Sequence, residues 1–199
     1  NGYVDKYAKE HYNLDASLFE HFGAYFLASD KDVIVALGTD TDGVFYALTS
    51  LKLIFNQMDG SIIRNFEMRD YADANIRGFI EGYYGIPWSN EDRMSLMKFG
   101  GNFKMTSYMF APKDDPYHSA KWRDPYPASE LEAIQEMAQV GNETKCRFVW
   151  TIHPFMNGGI TQSTYDADIQ KIIAKFEQLY EVGVRQFGVL GDDVGALDK

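Results

Sequence analysis

The chain has 199 residues, of which 45% are hydrophobic, and a formal net charge of −10 from 29 acidic and 19 basic side chains. This length and composition allow one or two domains with packed cores. The negative charge argues against nucleic-acid binding, which needs an excess of Lys and Arg to neutralise phosphates. No run of about 18 apolar residues predicts a membrane span. The first residues do not resemble a signal peptide, and because Asn1 is not an initiator Met, the chain is consistent with a start after one.

The first part of the chain predicts a small α/β unit over residues 1–74. Hydrophobic periodicity indicates two strands with a helix between them, at residues 32–38, 44–58 and 61–71. The segment GTDTDG joins the first strand to the helix and is typical of a turn followed by a helix N-cap. Residues before about 30 are aromatic and mixed, and their pattern predicts no particular element.

From residue 76 onward, predicted strands and helices alternate strictly. The predicted strands are at residues 76–82, 105–113, 146–153 and 184–193, and the predicted helices are at 89–100, 127–144 and 164–183. This alternation is typical of parallel strands that are covered by helices. We therefore predict a second domain over residues 75–199, in which polar, Gly-rich and Pro-rich segments follow the ends of the strands.

A TIM-type (β/α)8 barrel is the fold we favour for this second domain, because its chemistry lies at the C-terminal ends of the strands. A doubly wound sheet is the alternative, since ligands also bind at strand ends there. The sequence has neither a G-x-G-x-x-G motif nor a P-loop, which weakens that alternative. Four strands are half of the eight that a barrel needs, so we expect a truncated barrel from a longer protein. Its open sheet edge would favour self-association.

Two adjacent acids, Asp192 and Asp193, follow the last predicted strand in the segment QFGVLGDDVG. A solvated turn or a helix N-cap is the ordinary explanation for such a pair. Here the acids end an apolar strand, and Gly191 and Gly195 allow the backbone to turn so that both side chains reach one pocket. Two close carboxylates resist ionising together, so one tends to stay protonated. An acid beside a charged partner is what glycoside hydrolysis requires.

A lysine follows the end of the second barrel strand, in the segment APKDDPYHSAKWRDPYP. Lys113 precedes a group of ring-bearing side chains, which suit a sugar with apolar faces and a hydroxyl rim; they are Tyr117, His118, Trp122 and Tyr126. A lysine on a solvated face is the alternative. For Asp114 and Asp115 we favour a structural role in capping the loop and pairing with Lys or Arg, with a metal site as the alternative.

Three further residues stand at strand ends. Glu81 ends the strand in RGFIEG and is a catalytic acid by pattern, or else one half of a buried ion pair with Arg77 or a later Lys. The glycines of this segment, Gly82 among them, indicate close backbone approach to a ligand or to packed neighbours. His153 ends the third strand, and we favour a hydrogen-bonded side chain in the pocket wall over a base or a ligand.

The sequence predicts no metal site and no cofactor. Cys146 is the only cysteine, so it forms neither an internal disulfide nor a cysteine-based zinc site. It lies in the apolar run CRFVWTIH, where we expect it to be buried and inert. His11, His21 and His118 have no metal-ligand spacing with His153.

Four segments together closely resemble glycoside hydrolase family 84, the retaining β-N-acetylglucosaminidases that include O-GlcNAc hydrolases and bacterial enzymes often labelled hyaluronidases. They are RGFIEGYYGIPW, YMFAPKDDPYHSAKWRDPYP, FVWTIHP and VGVRQFGVLGDD, within residues 75–195. The segment GTDTDGVFYALTSLKLI resembles the small α/β domain that precedes the barrel in this family. The resemblance implies a hydrolase of N-acetylglucosamine-containing glycans, secreted or at the surface of a bacterial cell.

The resemblance also implies a substrate-assisted mechanism, in which the 2-acetamido oxygen of the sugar attacks the anomeric carbon and forms an oxazoline. In it, Asp192 orients and polarises the acetamido N–H, and Asp193 protonates the leaving oxygen and later activates water. Gly82, through its backbone, and Lys113, through its ammonium, match positions that bind hydroxyls of the terminal sugar. Substrate assistance is an exception to the rule of two flanking carboxylates, and adjacent acids fit it.

Two features depart from the family pattern beside the pocket. Gly191 stands where members often carry a bulky residue, and IHPFMNGGI is less acidic than the corresponding loop of O-GlcNAc hydrolases. Tyr, Asn and Asp residues that the family supplies from later strands are not in this chain, so we expect the chain alone to have little or no activity. The alternatives are an endo-acting hyaluronidase, against which the net charge of −10 argues mildly, and a non-catalytic glycan-binding module, which needs no matched acid and base.

Overall fold

The computed structural model describes residues 2–155 and 158–191. The predicted acid pair, Asp192 and Asp193, therefore lies outside the described residues. The chain forms two compact units, with the boundary between Asn75 and Ile76. No helix among the described residues is long and apolar enough to cross a membrane.

The first unit is built on a three-stranded antiparallel sheet. Its elements are α1 (Tyr3–His11), a 3-10 helix (Ala16–Glu20), β1 (Tyr25–Asp30), β2 (Val33–Gly38), α2 (Thr41–Asn56) and β3 (Phe66–Asp70). The strand order is β2-β1-β3. The two strands and the helix that the periodicity predicted are confirmed, and the last strand is shorter than predicted because it begins only at Phe66.

The pattern did not predict β1, a central strand that is buried on both faces. Tyr25 and Leu27 pack with α2, whereas Phe26 and Ala28 belong to a second apolar cluster on the opposite face. A strand of this kind reads as the continuous apolar run YFLA and lacks the alternation that marks a half-buried strand. The N-cap expected within GTDTDG is present and is Asp40, whose Oδ1 accepts a hydrogen bond from the Gly43 amide at 2.8 Å.

The second unit is built on a four-stranded parallel sheet. Its elements are β4 (Gly78–Glu81), α3 (Asn90–Gly101), β5 (Ser107–Phe110), α4 (Ala128–Thr144), β6 (Arg147–Ile152), α5 (Tyr165–Glu181) and β7 (Gln186–Val189). The strand order is β4-β5-β6-β7, and each neighbouring pair is parallel. Every strand and helix predicted after residue 76 is present, so the α/β class with parallel strands and covering helices is confirmed.

One face of the parallel sheet packs against the helices and forms the core. The largest core side chains from strands and helices are Tyr108, Phe110, Phe148, Trp150, Met97, Met137 and Leu179. Alternate strand residues point to the other face, where Ile80 is 59% exposed. Both outer strands, β4 and β7, lack a further strand partner among the described residues, so the sheet has two open edges where the sequence predicted one.

Two local features of this unit follow from its sequence, and the second, the burial of Cys146, confirms a prediction. Ser89 caps α3 through a capping box, in which the Asp92 amide donates to Ser89 Oγ at 3.1 Å and the Ser89 amide donates to the Asp92 carboxylate at 3.4 Å. Cys146 is fully buried, and burial raises the pKa of its thiol to about 12. A thiol with this pKa carries almost no thiolate at neutral pH, which makes it inert.

Candidate active site

The carboxyl ends of the four parallel strands lie along one edge of the sheet. The last paired row runs in register across all four strands and consists of Glu81, Phe110, Trp150 and Phe187. Beyond it, the Leu190 amide donates to Ile152 O at 2.8 Å, so β7 stays beside β6 up to this point. Gly82 and Lys113 follow the ends of β4 and β5 on this same edge, and the predicted acid pair follows Leu190 after one residue in the sequence.

Glu81 is buried in an ion pair and does not face an open pocket. It is 1% exposed, and Arg93 of α3 donates to both of its carboxylate oxygens, at 2.8 and 2.9 Å. The Tyr108 hydroxyl also donates to this carboxylate, as does the Trp88 amide at 3.3 Å. This geometry supports the ion-pair interpretation of Glu81, with Arg93 as the partner in place of the Arg77 or Lys that the sequence suggested.

The charges of this pair stabilise each other. Burial opposes the charge on Arg93, but the hydrogen bonds and the attraction from Glu81 outweigh it, so the pKa of the guanidinium lies above its usual value. The pKa of Tyr108 is raised as well, first by burial and then by its hydrogen bond to the Glu81 carboxylate. The pair thus fixes the end of β4 to α3, one residue before Gly82.

Gly82 leaves open space beside its backbone. A Cβ atom added to Gly82 would meet only the Ile80 side chain, at 3.8 Å. At Gly78, by contrast, an added Cβ would lie 1.7 Å from Ser107 O, so packing of β4 against β5 requires that glycine. Gly82 is therefore not needed for packing, and its surroundings leave the room that a backbone contact to a ligand needs.

Lys113 is exposed and lies in a turn that is closed by the hydrogen bond from the Asp115 amide to Pro112 O, at 3.3 Å. Its ammonium lies 5.1 Å from the ring centroid of Tyr84, in the loop that begins at Gly82. This distance is within the range of a cation–π interaction. The fold thus brings the loop after β4 and the lysine after β5 together, although they are about thirty residues apart in the sequence.

Asp115 caps the loop that follows Lys113. Its Oδ1 accepts a hydrogen bond from the Tyr117 amide at 2.7 Å, at the start of a short 3-10 helix, and its other oxygen accepts one from the Tyr126 hydroxyl. Burial raises the pKa of this carboxyl, although both hydrogen bonds act in the opposite direction. These contacts support the structural interpretation of Asp115. The described residues contain no group of three or more His, Cys, Asp or Glu side chains that could hold a metal ion.

Two histidines near this edge are buried. The His153 amide donates to His118 O at 2.7 Å, which joins the end of β6 to the loop after β5. Burial, followed by the proximity of His153 and Lys113, lowers the pKa of His118 to about 4, so its imidazole is neutral at pH 7. His153 is 5% exposed, as expected of a wall residue, and its Nδ1 atom makes no hydrogen bond with the described residues.

A buried lysine of α5, which the sequence analysis did not single out, contacts the same loop. Lys175 is 2% exposed, and its ammonium donates to Tyr117 O at 2.8 Å and to Lys121 O at 3.4 Å. The ammonium also lies 5.5, 5.3 and 5.9 Å from the ring centroids of Tyr117, Tyr126 and Trp150. Burial lowers the pKa of Lys175 to about 8, although nearby carboxylates oppose the shift.

Arg123 and Asp168 form a second link between this loop and α5. The guanidinium donates to both carboxylate oxygens at 2.7 Å and to Gly158 O at 2.8 Å. The hydrogen bonds from Arg123 hold the pKa of Asp168 at about 2. Asp168 and Lys175 are seven residues apart on the buried side of α5. Charged residues within an otherwise apolar helix stripe were the sequence signal that would have identified both.

Comparison with protein families decides the classification. A family model described as beta-N-acetylglucosaminidase matches residues 77–198, which is more than half of the chain. The chain belongs to this family, glycoside hydrolase family 84. The match begins at the strand β4 and extends over the parallel sheet, the loops after its strands and the acid pair in the sequence.

Solved structures of family 84 proteins share this fold. The structure of CpGH84D is 56% identical, with a TM-score of 0.93, over 98% of this chain and 33% of that chain. The structure of CpGH84B is 35% identical, with a TM-score of 0.87, over 98% of this chain and 34% of that chain. A mutant of the Thermobaculum terrenum O-GlcNAc hydrolase is 29% identical, with a TM-score of 0.56, over 61% of this chain and 26% of that chain.

Curated relatives of this family 84 chain include the Protein O-GlcNAcase of Rattus norvegicus, which is 32% identical over 117 residues. These residues are 59% of this chain and 12% of the relative. The chain thus spans about an eighth of the curated relatives it matches and about a third of the two most similar solved chains. The predicted fold, a small α/β unit followed by part of a TIM-type barrel, is confirmed by these matches together with the parallel sheet.

Proposed function

We propose that the intact protein containing this chain is a retaining β-N-acetylglucosaminidase, which removes terminal β-linked N-acetylglucosamine from glycans or glycoproteins. The observation that carries the proposal is the family match over residues 77–198, because it includes every candidate site residue of the chain. Relatives named O-GlcNAcase support the sugar specificity. A secreted or cell-surface location in a bacterium belongs to the same proposal and rests on the family resemblance alone.

The proposed reaction has two steps, and the sugar supplies its own nucleophile. In the first, the acetamido oxygen forms a bond to the anomeric carbon while the bond to the leaving oxygen breaks, and Asp193 gives its proton to that oxygen. Asp192 accepts a hydrogen bond from the acetamido N–H and stabilises the positive charge of the protonated oxazoline that forms. In the second step, Asp193 takes a proton from water, which attacks the anomeric carbon and opens the oxazoline. Two inversions at this carbon give net retention.

The described residues support the binding half of this proposal. Gly82 and Lys113 lie at neighbouring strand ends, with open space at the glycine and an exposed ammonium at the lysine. A sugar hydroxyl bound by a backbone group and an ammonium is held by directional bonds, one of them charge-assisted. Glu81 is buried and accepts hydrogen bonds from four donors, so it is not free to protonate a leaving group, which supports giving that role to Asp193.

The test is hydrolysis of 4-nitrophenyl N-acetyl-β-glucosaminide by the intact protein, with 4-nitrophenyl β-glucoside as the matched control that lacks the acetamido group. We expect turnover of the first substrate only, because the second has no internal nucleophile. Fluorine atoms on the acetyl group withdraw electrons from the attacking oxygen, so each one should lower kcat/KM. Release of the α-anomer, or equal turnover of both substrates, would contradict the mechanism.

We also propose that residues 1–199 alone have little or no activity, because their described part supplies four of the eight strand ends that surround a barrel pocket. The same substrate tests this. Turnover by residues 1–199 at a rate comparable with the intact protein would show that the rest of the barrel is not needed.

A further inference from the structure

We infer that Lys175 is a positioning residue for sugar binding, which fixes the loop after β5 and thereby holds Lys113 in place. The inference rests on the proposed function, in which Lys113 binds a hydroxyl of the terminal sugar. Lys175 is 2% exposed and lies beneath the loop, so it does not contact a sugar itself. Any effect of Lys175 on binding must therefore pass through the loop.

The first step of the argument concerns what the buried ammonium requires. A buried ammonium is costly unless its N–H groups find acceptors. Lys175 finds them in Tyr117 O at 2.8 Å and Lys121 O at 3.4 Å, which are backbone atoms of the loop after β5. The loop therefore adopts a backbone conformation that presents these two carbonyls to α5.

The second step connects these carbonyls to Lys113. The Tyr117 amide donates to Asp115 Oδ1 at 2.7 Å, and the Asp115 amide donates to Pro112 O at 3.3 Å. This second hydrogen bond closes the turn in which Lys113 lies. A continuous series of short contacts thus runs from Lys175 through Tyr117 and Asp115 to the turn that carries Lys113.

The third step concerns the aromatic rings around the ammonium. The rings of Tyr117 and Tyr126 belong to the loop, whereas Trp150 belongs to β6. The Trp150 indole N–H donates to the Tyr126 hydroxyl at 2.9 Å, and that hydroxyl donates to Asp115. A cation at the centre of these rings holds loop, strand and helix together by cation–π attraction, which a neutral side chain of similar length does not supply.

The experiment uses the intact protein and compares Lys175→Met with Lys171→Met. A Met side chain is about as long as the aliphatic stem of lysine, so the substitution removes only the positive charge and the N–H donors of the ammonium. Lys171 is exposed on the same helix, one turn earlier, and controls for loss of a lysine. Because Lys113 binds the sugar in both the ground state and the transition state, we expect Lys175→Met to raise KM about tenfold and to change kcat by less than about threefold.

A double variant tests whether the effect passes through Lys113. Lys113→Ala alone should lower kcat/KM by about ten- to a hundredfold, since it removes a charge-assisted hydrogen bond. If Lys175 acts by holding Lys113, then adding Lys175→Met to Lys113→Ala should cost less than about threefold further. Independent effects would multiply, and that result would overturn the inference.

The outcomes separate the inference from the proposed function. No hydrolysis by the wild-type protein contradicts the proposed function itself. Hydrolysis by the wild type, with the same KM in Lys175→Met and Lys171→Met, contradicts only the positioning role. If Lys175→Met does not fold, Asp115→Ala removes the oxygens that accept from the Tyr117 amide and the Tyr126 hydroxyl, so it interrupts the same series of contacts and should raise KM with little change in kcat. A wild-type KM in a folded Asp115→Ala protein would also overturn the inference.

Discussion

Replacing Glu81 by Gln should destabilise the second unit by about 3–5 kcal/mol, because it leaves a buried guanidinium without its counter-charge. Glu81 is 1% exposed and Arg93 is 7% exposed, so solvent screens neither group appreciably. Gln has nearly the same volume as Glu and keeps an oxygen that accepts hydrogen bonds. The expected loss is therefore electrostatic and does not come from a cavity.

Unfolding in urea, followed by tryptophan fluorescence, measures this loss. All three tryptophans of the chain lie in the second unit, so the signal reports on that unit alone; they are Trp88, Trp122 and Trp150. With a slope of about 1–3 kcal/mol per M, a loss of about 3 kcal/mol lowers the urea midpoint by about 1–3 M. Glu91→Gln, at an exposed position in the first turn of α3, is the matched control and should cost less than about 1 kcal/mol.

The double variant Glu81→Gln with Arg93→Met shows whether the loss comes from the unpaired charge. In the Glu81→Gln protein, Arg93→Met should lower the free energy of unfolding by much less than it does in the wild-type protein, because no buried charge then remains. A wild-type urea midpoint for Glu81→Gln would refute the reasoning. So would full additivity of the two substitutions, since it would mean that the two side chains do not stabilise each other.

Three further predictions concern other parts of the second unit. The pKa of Lys175 is lowered from 10.5 to about 8, so between these values the unfolded chain binds more protons than the folded chain. The contribution of this group to the free energy of unfolding therefore rises with pH across that range. The difference in urea midpoint between the wild type and Lys175→Met should increase from pH 8 to pH 10, and a constant difference would contradict this. Gly82→Ala should fold normally, since an added Cβ meets nothing closer than 3.8 Å. It should raise the KM of the intact protein about tenfold, because the methyl group occupies space that the sugar needs. An unchanged KM would argue against contact between the sugar and Gly82. Residues 1–199 alone should self-associate through an open sheet edge. Val189 lies on the edge strand β7 and is 56% exposed, so Val189→Lys should shift the sedimentation profile towards monomer. A wild-type chain that stays monomeric at high concentration would disprove this.

The elements of the second unit were predictable because each carries its own periodic signal. The helix α5, for example, has apolar residues at helical spacing, and β6 is a short apolar run that begins after a helix end. In the first unit, β1 was missed because its apolar run YFLA is only four residues long, does not alternate and lies in an aromatic, mixed segment. The strand β6 is also buried on both faces, but its place in the regular alternation of strands and helices identified it.

The partners of the buried charges were not predictable from the sequence. Glu81 and Arg93 meet because a strand and the following helix pack with those two residues facing each other, and nothing in their spacing distinguishes Arg93 from Arg77. Lys175 is a similar case, since its acceptors are backbone carbonyls more than fifty residues away. By contrast, strand order alone placed Gly82 and Lys113 on one edge, because the carboxyl ends of parallel strands always share an edge.

The most direct test of the central claim is kcat/KM of the intact protein and of Asp193→Ala on two aryl N-acetyl-β-glucosaminides, with 4-nitrophenol and 4-methoxyphenol as leaving groups. For a retaining enzyme, kcat/KM reports the first step alone, in which the leaving oxygen needs a proton. Nitrophenol leaves without one, so Asp193→Ala should keep most of kcat/KM on that substrate and lose about 10²–10⁴-fold on the methoxyphenyl substrate. Equal values for both proteins on both substrates would contradict the assignment of Asp193 as the general acid, and a wild-type protein that turns over neither would contradict the proposed activity.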